Sequence, residues 1–278
     1  MNFLGAICRV PALIAASFLA VACTEMTSFG GSRASTVERA FNHGFTTSDI
    51  VGGQFQFFML SRVTRAVKDE TLTIYIEGDG AHWATPWHPP LDPTPSKPLV
   101  AALAAADPSP AVIYLGRPCQ YLDATALSVC DTAWWVNRRF ALEVVDAYDE
   151  VLTDLKSRNG AHRLRLIGHS GGGVIAALLA LRRTDVEQLI TIAAPLALNE
   201  WVSGHDIAPL DGSLDPARQS GNLPHAIHWV GGQDKTVPQA VVEAFIRKKG
   251  GHMWTVPTYG HECCWDRNWT ELLKEVRP

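Results

Sequence analysis

The sequence has no basic patch: 24 Lys and Arg are set against 28 Asp and Glu in 278 residues. That excludes a surface built for nucleic acid or for an anionic membrane face. It has no internal repeat and no polar linker, which excludes a solenoid and leaves a single domain. No apolar stretch is long enough for a membrane span; Pro11 to Val21 has the length of a signal-peptide segment. No long amphipathic helix is readable between Leu196 and Pro224, which argues against the lid of an interfacial lipase. There are ten histidines but no metal-ligand spacing among them. His225 and His228, three apart in a strand, face opposite ways, and His261-Glu262-Cys263-Cys264 is too compressed to wrap one ion. No metal is called for by these spacings.

What is present centres on Arg163 to Leu181, RLRLIGHSGGGVIAALLAL, a short apolar run, a tight glycine turn and an apolar helix. Strand, turn and helix in that order are the context in which Gly168-His169-Ser170-Gly171-Gly172 reads as a G-x-S-x-G nucleophile elbow. Gly168 and Gly172 flank the serine because so sharp a turn leaves no room for a Cβ and favours strained backbone angles. The N-terminus of the following helix suits a developing oxyanion.

Along the chain, Gln54–Val63 and Thr71–Ile76 have strand composition, the second ending at Glu77-Gly78-Asp79-Gly80. Thr85–Pro98 holds six prolines and is an ordered loop. Ala111–Leu115 is a buried strand, and Gly116–Cys130 is a loop with two cysteines. From an N-cap at Asp131 or Thr132, a helix is expected over Ala133–Arg158, with Phe140, Val144, Ala147, Val151 and Leu155 on one stripe. Arg163 and Arg165 are expected at the start of the elbow strand with their heads in water. Val186–Ala193 and Ala226–Val230 are strands around an irregular insertion, 196–224. Pro238–Lys249 is a helix, His252–Pro257 the last strand and Trp265–Val276 the closing helix. This alternation predicts an α/β class with a mostly parallel central sheet flanked by helices.

Residues 1–22 carry one Arg and no acidic residue, and Leu19-Ala20-Val21-Ala22-Cys23 resembles a bacterial lipobox, although Leu19 stands one place early. Ala20-Val21-Ala22 also fits an ordinary A-x-A cleavage site. Both readings remove 1–22, export the protein and leave a net charge of 23 minus 28, or −5. The lipobox implies lipidation at Cys23 and a membrane anchor in the bacterial envelope, with 23–49 as tether and N-terminal segment before a domain at 50–278. In an exported chain, Cys119, Cys130, Cys263 and Cys264 favour disulfides. Cys119 and Cys130 are close enough for a bridge; for Cys263 and Cys264 a vicinal disulfide, free thiols or pairing with the first two all stand.

Partners for Ser170 belong in loops at the carboxyl ends of the strands. His261 follows the last strand and is the expected base. Asp234 follows the strand HAIHWV and is the expected acid, with helix capping as its bland role and Asp206, Asp211 and Asp215 as fallbacks. Over residues 50 to 277 the chain resembles the α/β-hydrolase superfamily, whose triads run in the order Ser, Asp, His. Within it, the start and the cysteine loop look like exported or lipoprotein hydrolases of bacteria. The resemblance implies the α/β-hydrolase fold and oxyanion N–H groups at Asp79 and Gly171, with Gly80 as fallback; the Asp79 carboxylate must then turn away from the oxyanion. It also implies attack by Ser170 on an ester-type carbonyl of a small acyl substrate, a covalent mechanism that needs neither a metal nor an organic cofactor, with acyl transfer and thioester cleavage open to the same triad. A non-catalytic envelope protein binding a ligand on this scaffold is the alternative of another class. Trp83, Trp87, Trp134, Trp135 and Trp201 fall near the active end, as walls of an acyl pocket or as pins for irregular loops.

Overall fold

The computed structural model describes residues 32–67, 70–81, 88–205 and 207–276. The leader, Cys23, Trp83, Trp87 and Asp206 lie outside the described residues.

Eight strands form one sheet in the order β1-β2-β4-β3-β5-β6-β7-β8. β1 (Thr46–Gly52) and β2 (Phe55–Val63) make an antiparallel hairpin, and β2 runs antiparallel to β4 (Ala111–Leu115). β3 (Thr71–Ile76), β4, β5 (Arg163–His169), β6 (Val186–Ile192), β7 (His225–Gly231) and β8 (His252–Val256) pair in parallel. The central strands are apolar on both faces because helices cover both. Leu72, Ile74 and Ile76 of β3 point into one core with α4 (Leu142–Arg158), α5 (Gly171–Arg182) and α7 (Gln239–Lys249). Tyr75 between them points into a second core with α1 (Arg33–Asn42), α2 (Leu99–Ala106) and α8 (Trp269–Glu275). From β3 the chain crosses one face through α2 to β4, then returns over the other through α4 to β5. The reversal opens a crevice beyond the carboxyl ends of β3 and β5, where ligands bind in such sheets.

Several local expectations are corrected. The packed unit starts before residue 50: α1 sits on the second core through Ala40, and β1 adds an edge strand. The expected helix over 133–158 is divided into a 3₁₀ turn, Thr132–Trp135, capped by Asp131, and α4. Between them the Arg139 carbonyl accepts a hydrogen bond from Arg117 Nη2 at 2.5 Å, which a continuous helix would have kept for its own ladder. The whole stripe from Phe140 to Leu155 is nonetheless buried. Arg165 does not extend its head freely into water, because buried Asp107 takes its guanidinium at 3.0 Å and leaves the side chain 13% exposed; Arg163 is exposed and pairs with Glu187. The two-cysteine loop holds a short helix, α3 (Ala124–Ser128), and the 196–224 insertion holds α6 (Leu198–His205). The closing helix starts at Trp269 rather than Trp265.

Cys119 is bonded to Cys130 across 11 positions, and Cys263 to Cys264. Closing a loop of that size contributes about 3 kcal/mol of chain entropy.

Candidate active site

The elbow is built by sterics. Ser170 stands between β5 and α5 at φ 50°, ψ −125°, a strained region for a residue with a side chain, and its N–H is tied to the Ile192 carbonyl at 2.9 Å. The strain falls on the serine, while the glycines supply space. A Cβ on Gly168 would lie 2.3 Å from the Gly172 carbonyl oxygen, and one on Gly172 would lie 2.1 Å from the Ile76 carbonyl oxygen. Both obstacles are backbone and cannot swing aside. Gly172→Ala is therefore expected to destabilise the protein by about 3 kcal/mol or more, read as a lower urea midpoint.

His261, in the loop after β8, places Nε2 3.1 Å from Ser170 Oγ and Nδ1 2.9 Å from Asp234 Oδ2. The Asp234 side chain is wholly buried beyond β7. Its Oδ1 accepts the N–H groups of Thr236 and Val237, each at 2.8 Å. One oxygen thus fixes the turn before α7 and the other orients the histidine; the bland role of a helix cap is not taken up, since α7 begins at Gln239 behind Pro238 with no side-chain cap bond. Of the fallback acids, Asp215 spends its oxygens on the N–H groups of Leu198, Asn199 and Ala217.

His169, beside Ser170, is not singled out by sequence. Burial, reinforced by the neighbouring His261, lowers its pKa to about 3, so it is neutral and donates from Nε2 to the His261 carbonyl at 2.8 Å. Trp265 Nε1 donates to the same oxygen at 3.0 Å. Two donors thus fix the backbone that carries the His261 ring.

Opposite the elbow runs Glu77 to Gly80, after β3. Gly78 passes so close that a Cβ on it would lie 3.7 Å from that of Ser170. Gly171 is the first residue of α5, so its N–H has no partner within the helix. Gly80, the fallback donor, packs against the Pro93 carbonyl, where a Cβ would fall at 1.8 Å. The Asp79 carboxylate is held by two arginines, Arg117 at 3.1 Å and Arg139 at 2.9 Å. Neither arginine was foreseen. Arg117 follows β4 directly and was open to the same strand-end rule; Arg139 was hidden inside the expected helix.

Glu77 is buried under this loop. Its Oε1 accepts the Gly78 N–H at 2.9 Å and its Oε2 the Tyr114 hydroxyl at 2.8 Å. Burial outweighs these bonds and raises its pKa from 4.5 to about 7. A raised folded-state pKa means that the protonated form is the stabilised one. The contribution is complete below pH 4.5 and is lost as pH rises through about 7. Glu77→Gln removes that dependence. Its stability relative to the native protein should therefore rise by about 3 kcal/mol between pH 4.5 and 8, as followed by denaturant unfolding.

Three of the tryptophans pin loops. Trp134 packs edge-on against Phe55, Trp135 donates to the Pro90 carbonyl at 3.0 Å and Trp201 to the Thr236 carbonyl at 2.6 Å. The last bond ties α6 to the turn carrying Asp234. Among the described residues no group of three or more His, Cys, Asp or Glu is placed to hold a metal ion. His228 is buried against Phe245, and His225 on the same strand is exposed.

No protein-family model and no curated protein matches the chain. Solved structures do. An α/β serine hydrolase homologue from Coxiella burnetii is 17% identical over 83% of this chain and 95% of its own, with a TM-score of 0.56. Est1E from Butyrivibrio proteoclasticus is 14% identical over 84% and 96%, with a TM-score of 0.54. An α/β serine hydrolase without lid from Xanthomonas campestris is 13% identical over 83% and 91%, with a TM-score of 0.51. What the chain shares with them is the architecture of a mostly parallel sheet between two helical layers: it has the α/β-hydrolase fold.

Proposed function

We propose that the protein is a serine hydrolase that cleaves carboxylic esters through an acyl-enzyme on Ser170. The observation that carries this reading is the continuous line from Ser170 Oγ through His261 to buried Asp234, with bonds of 3.1 and 2.9 Å. In the proposed reaction His261 Nε2 takes the Ser170 proton as Oγ attacks the carbonyl carbon. The oxyanion forms against the N–H groups of Asp79 and Gly171. Collapse expels the alcohol, which leaves with the proton from His261 and an ester on Ser170. Water, deprotonated by His261, then releases the acid and restores the serine.

The substrate favoured by this reading is a short-chain or envelope-associated acyl ester. Within 196–224 the helix α6 has eight residues, too few for a long lid over the site. Turnover of a panel of oxygen esters, thioesters and amides, with products resolved in the presence of alcohol and amine acceptors, tests the reading. Mainly free acid from oxygen esters supports a hydrolase; acyl product on the acceptor makes it a transferase, and preference for thioesters a thioesterase. No Ser170-dependent turnover of any member would favour a non-catalytic binding protein.

We also propose that Cys23 carries a lipid anchoring the protein in a bacterial envelope. Cys23→Ser should then move it from the membrane to the soluble fraction, and an unchanged distribution would reject the anchor.

A further inference from the structure

A carboxylate stands where chemistry at Ser170 needs positive potential. A Cβ on Gly171 would lie 1.9 Å from Asp79 Oδ1 and 2.9 Å from Arg117 Nη1, so both charges press against the first residue of α5. A helix N-terminus attracts any nearby anion through its unpaired N–H groups and its dipole. An unrestrained Asp79 carboxylate would therefore compete for the N–H groups that an oxyanion on Ser170 requires. It is restrained from two sides: Arg117 Nη1 holds Oδ1 at 3.1 Å and Arg139 Nη1 holds Oδ2 at 2.9 Å. The clamp is itself locked, since Arg117 Nη2 bonds the Arg139 carbonyl and both guanidinium groups lie over the Phe140 ring, at 5.3 and 5.7 Å. Side-chain exposures of 5% and 11% for the arginines and 25% for Asp79 make the two cations the more deeply buried partners of the carboxylate.

We infer that Arg117 and Arg139 are positioning residues for the Ser170 site, holding the Asp79 carboxylate on the Cα side of Gly171 and away from its N–H, so that this N–H stays open to the oxyanion. The inference rests on the serine hydrolase reading. Two guanidinium groups face the one Asp79 carboxylate; loss of either arginine removes a positive charge from this cluster and frees the anion to turn.

The rate of Ser170 phosphonylation by a fluorophosphonate separates this role from a structural one. Arg139→Met is expected to slow the limiting rate by about 10- to 100-fold, with little change in the half-saturating probe concentration. Adding Asp79→Asn removes the anion and should restore the rate to within about twofold of Asp79→Asn alone, a difference no larger than the error within which independent substitutions add. A double variant as slow as Arg139→Met, or Arg139→Met as fast as the native protein, overturns the inference. If thermal unfolding shows that Arg139→Met does not fold, Arg139→Gln, which keeps hydrogen-bonding capacity without charge, takes its place under the same criteria. Failure of the native protein to label at Ser170 overturns the hydrolase reading and this inference with it; labelling that is indifferent to Arg139 overturns this inference alone.

Discussion

Ser170→Ala is expected to reduce ester turnover by about 10⁴- to 10⁶-fold, to the level of the uncatalysed reaction plus what binding and oxyanion stabilisation supply without a nucleophile. The substitution removes one oxygen. Alanine meets the same backbone strain at φ 50°, and the N–H bond to Ile192 is untouched, so the elbow keeps its shape. His261 loses its 3.1 Å partner but retains Asp234. Unfolding should shift by about 1 kcal/mol or less, the net value of one hydrogen bond. Turnover of the best ester by the folded variant is the measurement. A loss smaller than about tenfold would mean that the reacting group is elsewhere.

Asp234→Asn is expected to cost about 10³- to 10⁴-fold in turnover with the fold kept. The amide oxygen can still accept the N–H groups of Thr236 and Val237, so the turn before α7 survives. The amide nitrogen now faces His261 Nδ1 and donates to it. The ring proton is then driven to Nε2, the atom 3.1 Å from Ser170 Oγ, where a lone pair is needed to take the serine proton. Were Asp234 only a support for the turn before α7, the variant would keep both stability and turnover. Denaturant midpoints and turnover measured on one preparation separate the two roles.

The hydrogen-bonded line of Ser170, His261 and Asp234 was legible because its context is local. Each of the three follows a strand and a turn containing glycine, and the strand-end rule ranked His261 above nine other histidines. The irregular parts were not legible, for identifiable reasons. β1, TTSDIVG, is exposed at five of its seven positions, so it carries no burial pattern. α2, LVAALAAA, follows six prolines and lacks a polar face to mark its period. The arginine clamp joins Asp79 to positions 38 and 60 residues away, beyond any local signature. From sequence the Asp79 carboxylate is expected only to turn away from the oxyanion; nothing local names the cations that hold it.

The same chemistry explains why the surroundings of the triad are polar yet buried. Glu77, His169 and Arg117 are each nearly inaccessible, and each bonds a backbone group of a loop or strand end at the crevice: Gly78, His261 and Arg139. Loops at the ends of a sheet have few apolar contacts to hold them, and buried hydrogen bonds to their backbone supply the rigidity that a preorganised site requires.

The central claim is that Ser170 is an activated nucleophile. Its most direct test is to treat the folded native protein with a fluorophosphonate, digest it and locate the adduct by mass spectrometry. The account predicts one phosphonylated peptide, modified at Ser170 and absent from Ser170→Ala. No adduct on folded protein, or an adduct at another residue that persists in Ser170→Ala, would contradict it.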